Sequence, residues 1–481
     1  MTLSRSLLRG RGSHDSGKVG MVELFFDLVF VFAVTQLSHS LLAHLTLGGA
    51  VQVALMMVAV WWVWIFTSWI TNWLDPEKIP IRIGLFGLMV AGLLLSSSIP
   101  KAFTDRGLLF AGAYVFMQVG RTLFALWAVR GESLNMTRNF QRILAWMLCS
   151  GVFWISGALV EGEQRLAFWA LALLIELISP SVYFWVPGLG RSTLADWNVE
   201  GNHMAERCGL FVIIALGESL LVTGATFAEL PWSIEGLGAF LVAVVGSIAL
   251  WWIYFDSGAE RAHHRIASSA DPGRQARIAY TYLHVLIVAG IIVSAVADEL
   301  VLVHPGHASQ AGVVAIIAGP WLFLLGSALF KWVMSDRSLP PLSHLGGLLM
   351  LLVVLPLGLQ QVFSALVLGA LTTAVLVIVA RMHQHQFVGH RADNDAGDNQ
   401  HVQVSTANRV IGPRRVQVDG HRARRMRQVP DAQRATFVAQ GGERLHVVHV
   451  AGLVVDVGEH HHRHVLVDSL RQFIGAVHQS Q

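Results

Sequence analysis

The chain has 481 residues, of which 54% are hydrophobic and 14% are charged, and it carries a formal net charge of +3. With a mean hydropathy of +0.55, these values exclude an ordinary water-soluble protein, because a soluble surface of this size needs far more charge. Residues 51–69 and 236–255 contain no charged side chain, and each is about 20 residues long, enough to cross the hydrocarbon core of a bilayer. The sequence therefore predicts an all-α, polytopic integral membrane protein.

Hydropathy and loop breaks predict about 12 transmembrane helices, near 22–45, 50–74, 81–100, 106–130, 140–160, 165–187, 206–229, 234–257, 277–303, 311–334, 342–360 and 361–381. Pro356 and the Gln360-Gln361 break leave two interpretations of the last pair, a tight hairpin or one kinked helix.

Basic residues in the connecting segments indicate the orientation. If the amino terminus is cytoplasmic, most of them fall on the cytoplasmic side, including Arg9, Lys78, Arg142 and Arg207. The opposite side then holds Lys101, Arg106 and Arg165. Because positive segments stay in the cytoplasm, we expect both termini to be cytoplasmic in a multi-pass protein of the bacterial cell inner membrane, surrounded by the lipid bilayer.

A weak internal repeat divides the membrane region into two parallel six-helix halves. Residues 23–37, ELFFDLVFVFAVTQL, align with 206–220, ERCGLFVIIALGESL, with a Glu at the start of each segment. The alternative is that any two apolar helices look alike. The predicted organisation is a cytoplasmic amino-terminal segment, a first half, a second half and a carboxy-terminal tail, at 1–20, 21–200, 201–382 and 383–481.

The tail differs in composition from the rest of the chain. It contains no Lys, Trp, Tyr or Cys, but it holds twelve of the 22 His residues. It is compatible with a disordered basic extension, with a small soluble domain, or with translation of the wrong frame of a GC-rich gene, which we favour. We assign no metal-binding role to the His-rich run at 460–464, since it lacks cysteine and ordered ligand spacing.

The first predicted helix contains two acidic residues, Glu23 and Asp27, on one face with Ser38 and with His39 at its flank. An ionisable group in a span is costly, so this face should point into the bundle. It is compatible with a cation or proton site. The alternative is that the carboxylates favour a helix amino end and pair with Lys18 or with an Arg of another helix.

Arg121 lies near the middle of the fourth predicted helix and must find a partner, and Glu176 and Glu218 are the expected counter-ions. Gly217 should let a neighbouring helix approach Glu218 closely. His284 is expected to be buried in the ninth helix. A cavity shared by Asp27, Arg121 and Glu218 would favour transport, whereas separate pairwise contacts would favour a structural role.

The sequence contains no phosphate-binding loop, dinucleotide fingerprint, nucleophile elbow or zinc-protease motif in a suitable context. We therefore expect no enzymatic activity, no cofactor, no bound metal and no nucleic acid partner. The expected partner besides lipid is a small solute or ion of unknown identity, and the oligomeric state is left open.

Several segments closely resemble the bacterial low temperature requirement protein A family over about residues 18–381. They are 23–32 (ELFFDLVFVF), 36–39 (QLSH), 72–76 (NWLDP), 206–219 (ERCGLFVIIALGES) and 280–284 (YTYLH). The resemblance implies a polytopic inner-membrane protein and, by its name, only a growth phenotype in the cold. Members usually end near the last span, so the tail departs from the family.

A fainter resemblance is to potassium channels with a Phe-Ser-Asp signature in the first of six spans. Here Phe25, Phe26 and Asp27 lack the Ser, and Leu210 stands where the repeat would place a second Asp.

Three hypotheses for the function follow from the sequence. The first is an ion-coupled transporter whose interior is lined by Glu23, Asp27, His39, Arg121, Glu176, Glu218 and His284. The second is a cation channel, and the third is a non-transporting membrane sensor or scaffold.

Overall fold

A computed structural model describes residues 6–10, 18–193, 200–256, 272–335 and 338–384, and the backbone of 435–441 and 444–450. The chain divides into two compact units, Met1–His401 and Val402–Gln481. The first unit contains the membrane helices.

Twelve helices make up the described part of the first unit. They are α1 (Met21–Ala43), α2 (Leu47–Trp73), α3 (Ile79–Lys101), α4 (Gly107–Ala128), α5 (Leu134–Ala158), α6 (Gly162–Ile178), α7 (Gly201–Glu229), α8 (Ile234–Phe255), α9 (Gly273–Val303), α10 (Gln310–Val333), α11 (Leu342–Leu359) and α12 (Ala365–Gln384). Ten of these helices, all except α5 and α6, have the length and hydropathy expected of a membrane span. The predicted all-α, polytopic membrane fold is confirmed.

Two helix ends differ from the prediction in ways that affect the site. Helix α6 ends at Ile178 rather than near 187, because Pro180 disfavours helical backbone in the residue before it. Helix α7 begins at Gly201 rather than at 206. This longer start brings His203 into the helix, where its side chain and that of Arg207 are fully buried.

The last two helices form a hairpin. Helix α11 continues through Pro356 and ends at Leu359. Gln361 then takes a left-handed backbone conformation with φ 57°, which turns the chain before α12 begins at Ala365. Of the two interpretations of this region, the hairpin is therefore the one observed.

The second unit contains two described strands. Strand β1 (Ala435–Gly441) pairs antiparallel with β2 (Arg444–Val450), with Ala435 opposite Val450. The remainder of the predicted tail beyond 384 lies outside the described residues. The limits proposed for the four segments, and the wrong-frame origin of the tail, stay predictions.

Two helices contain a widened π-helical turn, at Phe116–Gly120 in α4 and at Arg277–Leu283 in α9. Such turns are rare and occur often at functional positions, because the extra residue redirects the side chains that follow. Arg121 and His284 each come directly after one of them. In α9 the carbonyl of Thr281 accepts a hydrogen bond from Trp61 Nε1 of α2 at 2.8 Å.

Helices α9 and α10 pack closely because glycines remove side chains at their contact. A Cβ atom added to Gly290 would lie 2.4 Å from the Phe323 nitrogen, and one added to Gly319 would lie 2.6 Å from the Ser294 nitrogen. Small residues permit this kind of backbone approach in membranes. The same role was expected of Gly217 and is wrong, because a Cβ there would meet no atom within 4 Å.

We predict that Gly290→Ala lowers the melting temperature of the purified protein, because the added methyl group must push α9 away from the α10 backbone at a cost of about 1–3 kcal/mol. Gly217→Ala is the matched control and should leave the melting temperature unchanged or slightly raise it. Equal effects of the two substitutions would show that the α9–α10 contact is not close.

Candidate functional site

Helices α1 and α7 run side by side in the same direction, and polar side chains join them at two levels. We call the end at which both helices begin the proximal end, and the end at which they finish the distal end. Arg207 and Glu218 of α7 mark the two levels. Their separation corresponds to roughly 16 Å along the helix.

At the proximal end lies a cluster of five charged or titratable side chains, the proximal cluster: Arg9, Glu23, Asp27, His203 and Arg207. Glu23 Oε2 accepts a hydrogen bond from Arg9 Nη2 at 3.1 Å, and Glu23 Oε1 lies 2.8 Å from His203 Nε2. Arg207 Nη2 donates to Asp27 Oδ1 at 2.8 Å. All of these side chains except Arg9 are fully buried.

Helical periodicity explains how the cluster forms. Glu23 and Asp27 are four residues apart on α1, and His203 and Arg207 are four residues apart on α7. Such pairs lie one above the other on one helix face. The two faces meet, so each carboxylate contacts a basic side chain of the other helix. Glu23 also accepts from the Gly20 N–H at 2.9 Å, which caps the start of α1.

Asn72 at the end of α2 fixes the start of α7. Its side chain donates to the Glu200 carbonyl at 2.8 Å and accepts from the Glu200 N–H at 3.0 Å. Its Nδ2 is also 3.2 Å from His203 Nδ1. Because an amide nitrogen only donates, His203 Nδ1 accepts and the His203 Nε2–H donates to Glu23.

The proximal cluster is electrically balanced but its hydrogen bonds are incomplete. The carboxylates of Glu23 and Asp27 offset the guanidinium groups of Arg9 and Arg207, so burial leaves no net charge. Yet among the described residues Asp27 Oδ2 and Arg207 Nη1 have no hydrogen-bond partner. Arg207 Nη1 lies 3.6 Å from Glu23 Oε1, within ion-pair range. Asp27 Oδ2 can therefore still accept a hydrogen bond, and Arg207 Nη1 can still donate one.

An aromatic layer, made of Phe30, Trp61, Trp64 and Phe211, lies above the proximal cluster. The ring centroid of Phe211 is 4.4 Å from that of Trp64 and 5.4 Å from that of Trp61. Trp64 Nε1 donates to Asp27 Oδ1 at 2.7 Å, and the Arg207 guanidinium lies 5.5 Å from the Trp64 ring centroid. The layer therefore packs directly against the Asp27–Arg207 pair and is itself buried.

At the distal end the interface opens into a cavity of about 490 Å³, the distal cavity. Its lining residues are Thr35, His39, Glu218, Leu221, Val222, Ala225, Thr226, Glu229 and Glu299. Glu218 is 7% exposed and accepts a hydrogen bond from Thr35 Oγ1. His39 is exposed near the end of α1. No group of three or more His, Cys, Asp or Glu residues in the described part of the chain is placed to chelate a metal ion.

Arg121 and Glu176 belong to a separate polar cluster among α2, α4, α5 and α6. Glu176 accepts from Tyr114, from Gln118 Nε2 and from Trp154 Nε1 at 2.7, 2.6 and 3.0 Å. Arg121 Nη1 donates to the Val63 carbonyl at 2.9 Å, and Nη2 donates to Gln118 Oε1. Gln118 of the π turn thus bridges the buried cation and the buried carboxylate. In the described chain no carboxylate lies within ion-pair distance of Arg121.

His284 is buried in α9, as expected from the sequence. Its Nδ1 lies 2.8 Å from the Ala279 carbonyl and its Nε2 lies 2.8 Å from the Tyr254 hydroxyl. The Phe330 ring packs edge-on against the imidazole at 4.8 Å. Both ring nitrogens are therefore satisfied inside an aromatic pocket.

The predicted residues do not converge on one cavity, so by the criterion drawn from the sequence the separate contacts of Asp27 and Arg121 favour a structural role for these two residues. Asp27 lies in the proximal cluster, Arg121 bonds Gln118, and Glu218 lines the distal cavity, where it accepts from Thr35 rather than from Arg121. The inward orientation expected for Glu23, Asp27 and Ser38 is confirmed, since all three are buried. Arg207 had been counted with the basic residues of the cytoplasmic side, and its side chain is fully buried against Asp27 of α1 rather than exposed in a loop. His203 was not among the predicted site residues, and the only sequence signal for it was its position just before the segment 206–219.

We predict that Arg207→Met destabilises the protein by about 3–5 kcal/mol, because it leaves the Asp27 carboxylate buried without its counter-ion. The double variant Asp27→Asn with Arg207→Gln should recover part of this loss, since it removes both charges. Melting temperatures of the purified proteins measure both effects.

Arg82→Met is the matched control for Arg207→Met. It breaks the exposed Arg82–Glu77 pair and should cost less than about 1 kcal/mol. If Arg207→Met is no more destabilising than Arg82→Met, the proximal cluster does not hold α1 and α7 together.

Comparison with known proteins agrees with this architecture. Residues 18–381 match the family of the bacterial low temperature requirement A protein (LtrA). An uncharacterized protein of Rhizobium meliloti (strain 1021) is 42% identical over 373 residues, which cover 76% of this chain and 89% of that protein. No solved structure matches the chain. The protein belongs to the bacterial low temperature requirement A family.

Proposed function

We propose that the protein is an ion-coupled secondary transporter in which a cation or a cationic solute reaches Glu218 through the distal cavity. The observation that carries this proposal is the unequal opening of the α1–α7 interface. A cavity of about 490 Å³ opens at one end, while at the other end the same two helices are joined by buried ion pairs.

The charge of the distal cavity favours a cationic ligand. Its lining residues include three carboxylates, Glu218, Glu229 and Glu299, and no Lys or Arg. A cleft lined by charge of one sign and walled by low-dielectric material concentrates ions of the opposite sign. Glu218 is the deepest of the three because its side chain is 7% exposed, so it is the group at which such a cation would stop.

The proximal cluster and the aromatic layer are suited to act as the closed gate. Opening the proximal end requires separating Arg207 from Asp27 and moving Phe211 away from Trp64. The incomplete hydrogen bonding of Asp27 Oδ2 and Arg207 Nη1 lowers the cost of an alternative arrangement, since these atoms gain partners when water enters. Many transporters alternate access by rocking one helix bundle against another around a central site.

The predicted orientation gives this arrangement a direction. With a cytoplasmic amino terminus in the inner membrane, the distal cavity faces the periplasm and the proximal cluster closes the cytoplasmic side. The conformation described here then corresponds to an outward-open state. Arg121 and Glu176 play a structural part in this proposal, because Arg121 bonds Gln118 and the Val63 carbonyl, and Glu176 bonds the side chains of Tyr114, Gln118 and Trp154.

We predict that reconstituted protein takes up at least one of a panel of labelled cations with saturation, the panel comprising alkali metal ions, polyamines and quaternary amines. Glu218→Gln should reduce this uptake by about tenfold or more, equivalent to the loss of about 1.4 kcal/mol of binding. Asp27→Asn should also impair it, because the gate loses its charge balance.

Glu235→Gln is the matched control, since Glu235 is an exposed carboxylate at the distal start of α8 outside the cavity lining. It should leave uptake unchanged. Flux that rises without saturation would instead identify a cation channel. Absence of flux for every cation, with wild-type folding, would contradict transport and leave the sensor or scaffold hypothesis.

A further inference from the structure

Asp298 of α9 is a partly buried acidic side chain within a membrane helix. In the part of the chain that the structure describes, Asp298 has no hydrogen-bond or ion-pair partner. By contrast, Glu23, Asp27, Glu176 and Glu218 all accept hydrogen bonds from side chains. A carboxylate inside a span without a partner is costly and marks a functional position.

Asp298 lines a cavity of about 20 Å³ formed by α8, α9, α10 and α12, enough for one water-sized particle. The side chains that bring oxygen to this cavity are Ser247, Ser294, Asp298, Thr372 and Thr373. No Lys, Arg or His lines it. The cavity therefore combines one negative charge with several neutral oxygen atoms.

The hydroxyl groups are available as ligands through their oxygen lone pairs. Ser294 is 7% exposed, and its Oγ has no hydrogen-bond partner among the described residues. Thr372 Oγ1 donates its proton to the Gly369 carbonyl at 2.9 Å, and Thr373 Oγ1 donates to the Val242 carbonyl at 3.4 Å. A hydroxyl that has donated its proton still has lone pairs to offer a cation.

The backbone of α10 contains a carbonyl without its helical donor at a residue that lines the cavity. Pro320 lies inside this helix and has no N–H, so the carbonyl of Ile316 lacks its helical donor. Ile316 and Pro320 both line the cavity. Carbonyls released in this way coordinate Na⁺ in transporters built from interrupted helices.

Glycines bring these oxygen atoms together. A Cβ on Gly319 of α10 would lie 2.6 Å from Ser294 Oγ, and a Cβ on Gly246 of α8 would lie 3.2 Å from Thr373 Oγ1. Side chains at either position would therefore displace a hydroxyl group of the cavity. The close packing of α8, α10 and α12 around Asp298 depends on these two residues.

We propose that Asp298, together with Ser294, Thr372, Thr373 and the Ile316 carbonyl, binds one dehydrated Na⁺ ion. One carboxylate balances one positive charge, whereas a divalent cation in a site of this kind is held by more acidic ligands. The small cavity favours Na⁺ over the larger K⁺.

This inference rests on the proposed transport function and names its coupling ion. Glu299, the next residue of α9, lines the distal cavity. A shift of α9 on Na⁺ binding would therefore move a wall of the cavity through which the solute enters.

The test is the melting temperature of the full-length purified protein at increasing NaCl, with choline chloride replacing it to hold ionic strength constant. At a Na⁺ concentration ten times the dissociation constant, the melting temperature should rise by about 2 °C. KCl should give a smaller rise and CaCl₂ no rise beyond that of K⁺.

Three variants make the test specific. Asp298→Asn should remove the response to Na⁺ and should raise the melting temperature in choline, because it removes a charge that has no partner among the described residues of the membrane helices. Ser294→Ala should weaken the response while keeping the fold. Glu235→Gln is the matched control, since Glu235 is an exposed carboxylate that lines neither cavity, and it should respond to Na⁺ like the wild type.

Three results would overturn the Na⁺ site. The first is an equal rise in melting temperature with Na⁺ in Asp298→Asn and the wild type, and the second is no rise with Na⁺ in the wild type. The third is a rise with K⁺ or Ca²⁺ as large as the rise with Na⁺. This measurement involves no transport. Na⁺ stabilisation without cation or solute uptake would remove the transport function and leave the Na⁺ site. Uptake without Na⁺ stabilisation would remove the Na⁺ site and leave the transport function.

Discussion

The arrangement of the membrane unit depends on the cost of placing charged side chains between apolar helices. On insertion scales each such group costs about 2.5–3.5 kcal/mol unless it finds a partner. Helices α1 and α7 meet this constraint together, because Glu23 and Asp27 of α1 lie against His203 and Arg207 of α7. Neither helix could bury its charged face alone, so the pairing also decides which helices must be neighbours.

The function we propose follows from the places where this neutralisation is incomplete. At the distal end of the same interface, Glu218 accepts a hydrogen bond only from a hydroxyl group among the described residues, and it faces a cavity with two further carboxylates. On α9, Asp298 has no partner within the described residues and lies among hydroxyl groups. Charge that the fold neutralises holds the helices together, and charge that it leaves uncompensated is available for a ligand.

The sequence predicted the spans and the inward face of α1, because hydropathy and helical periodicity are local properties. It did not predict the partners. Arg207 lies close to the start of an apolar stretch, so the rule that assigns basic residues to the cytoplasmic side counted it with the loops, whereas its side chain is fully buried against Asp27 of α1. Arg121 was expected to meet a carboxylate directly, but the π turn places Gln118 between it and Glu176. Such contacts depend on the packing of helices distant in sequence.

The native thiol of Cys208 gives the most direct test of an interface that opens at alternate ends. Cys208 follows Arg207 on α7 and is fully buried at the proximal end, whereas the chain's other cysteine, Cys149, is exposed and can be replaced by Ser. The measurement is the rate of maleimide labelling of Cys208 in proteoliposomes, with and without a gradient of the transported cation. Alternating access predicts slow labelling at rest and faster labelling under the gradient, as the Asp27–Arg207 pair separates. A rate that stays slow and constant under every gradient, in protein that takes up the cation, would contradict the account.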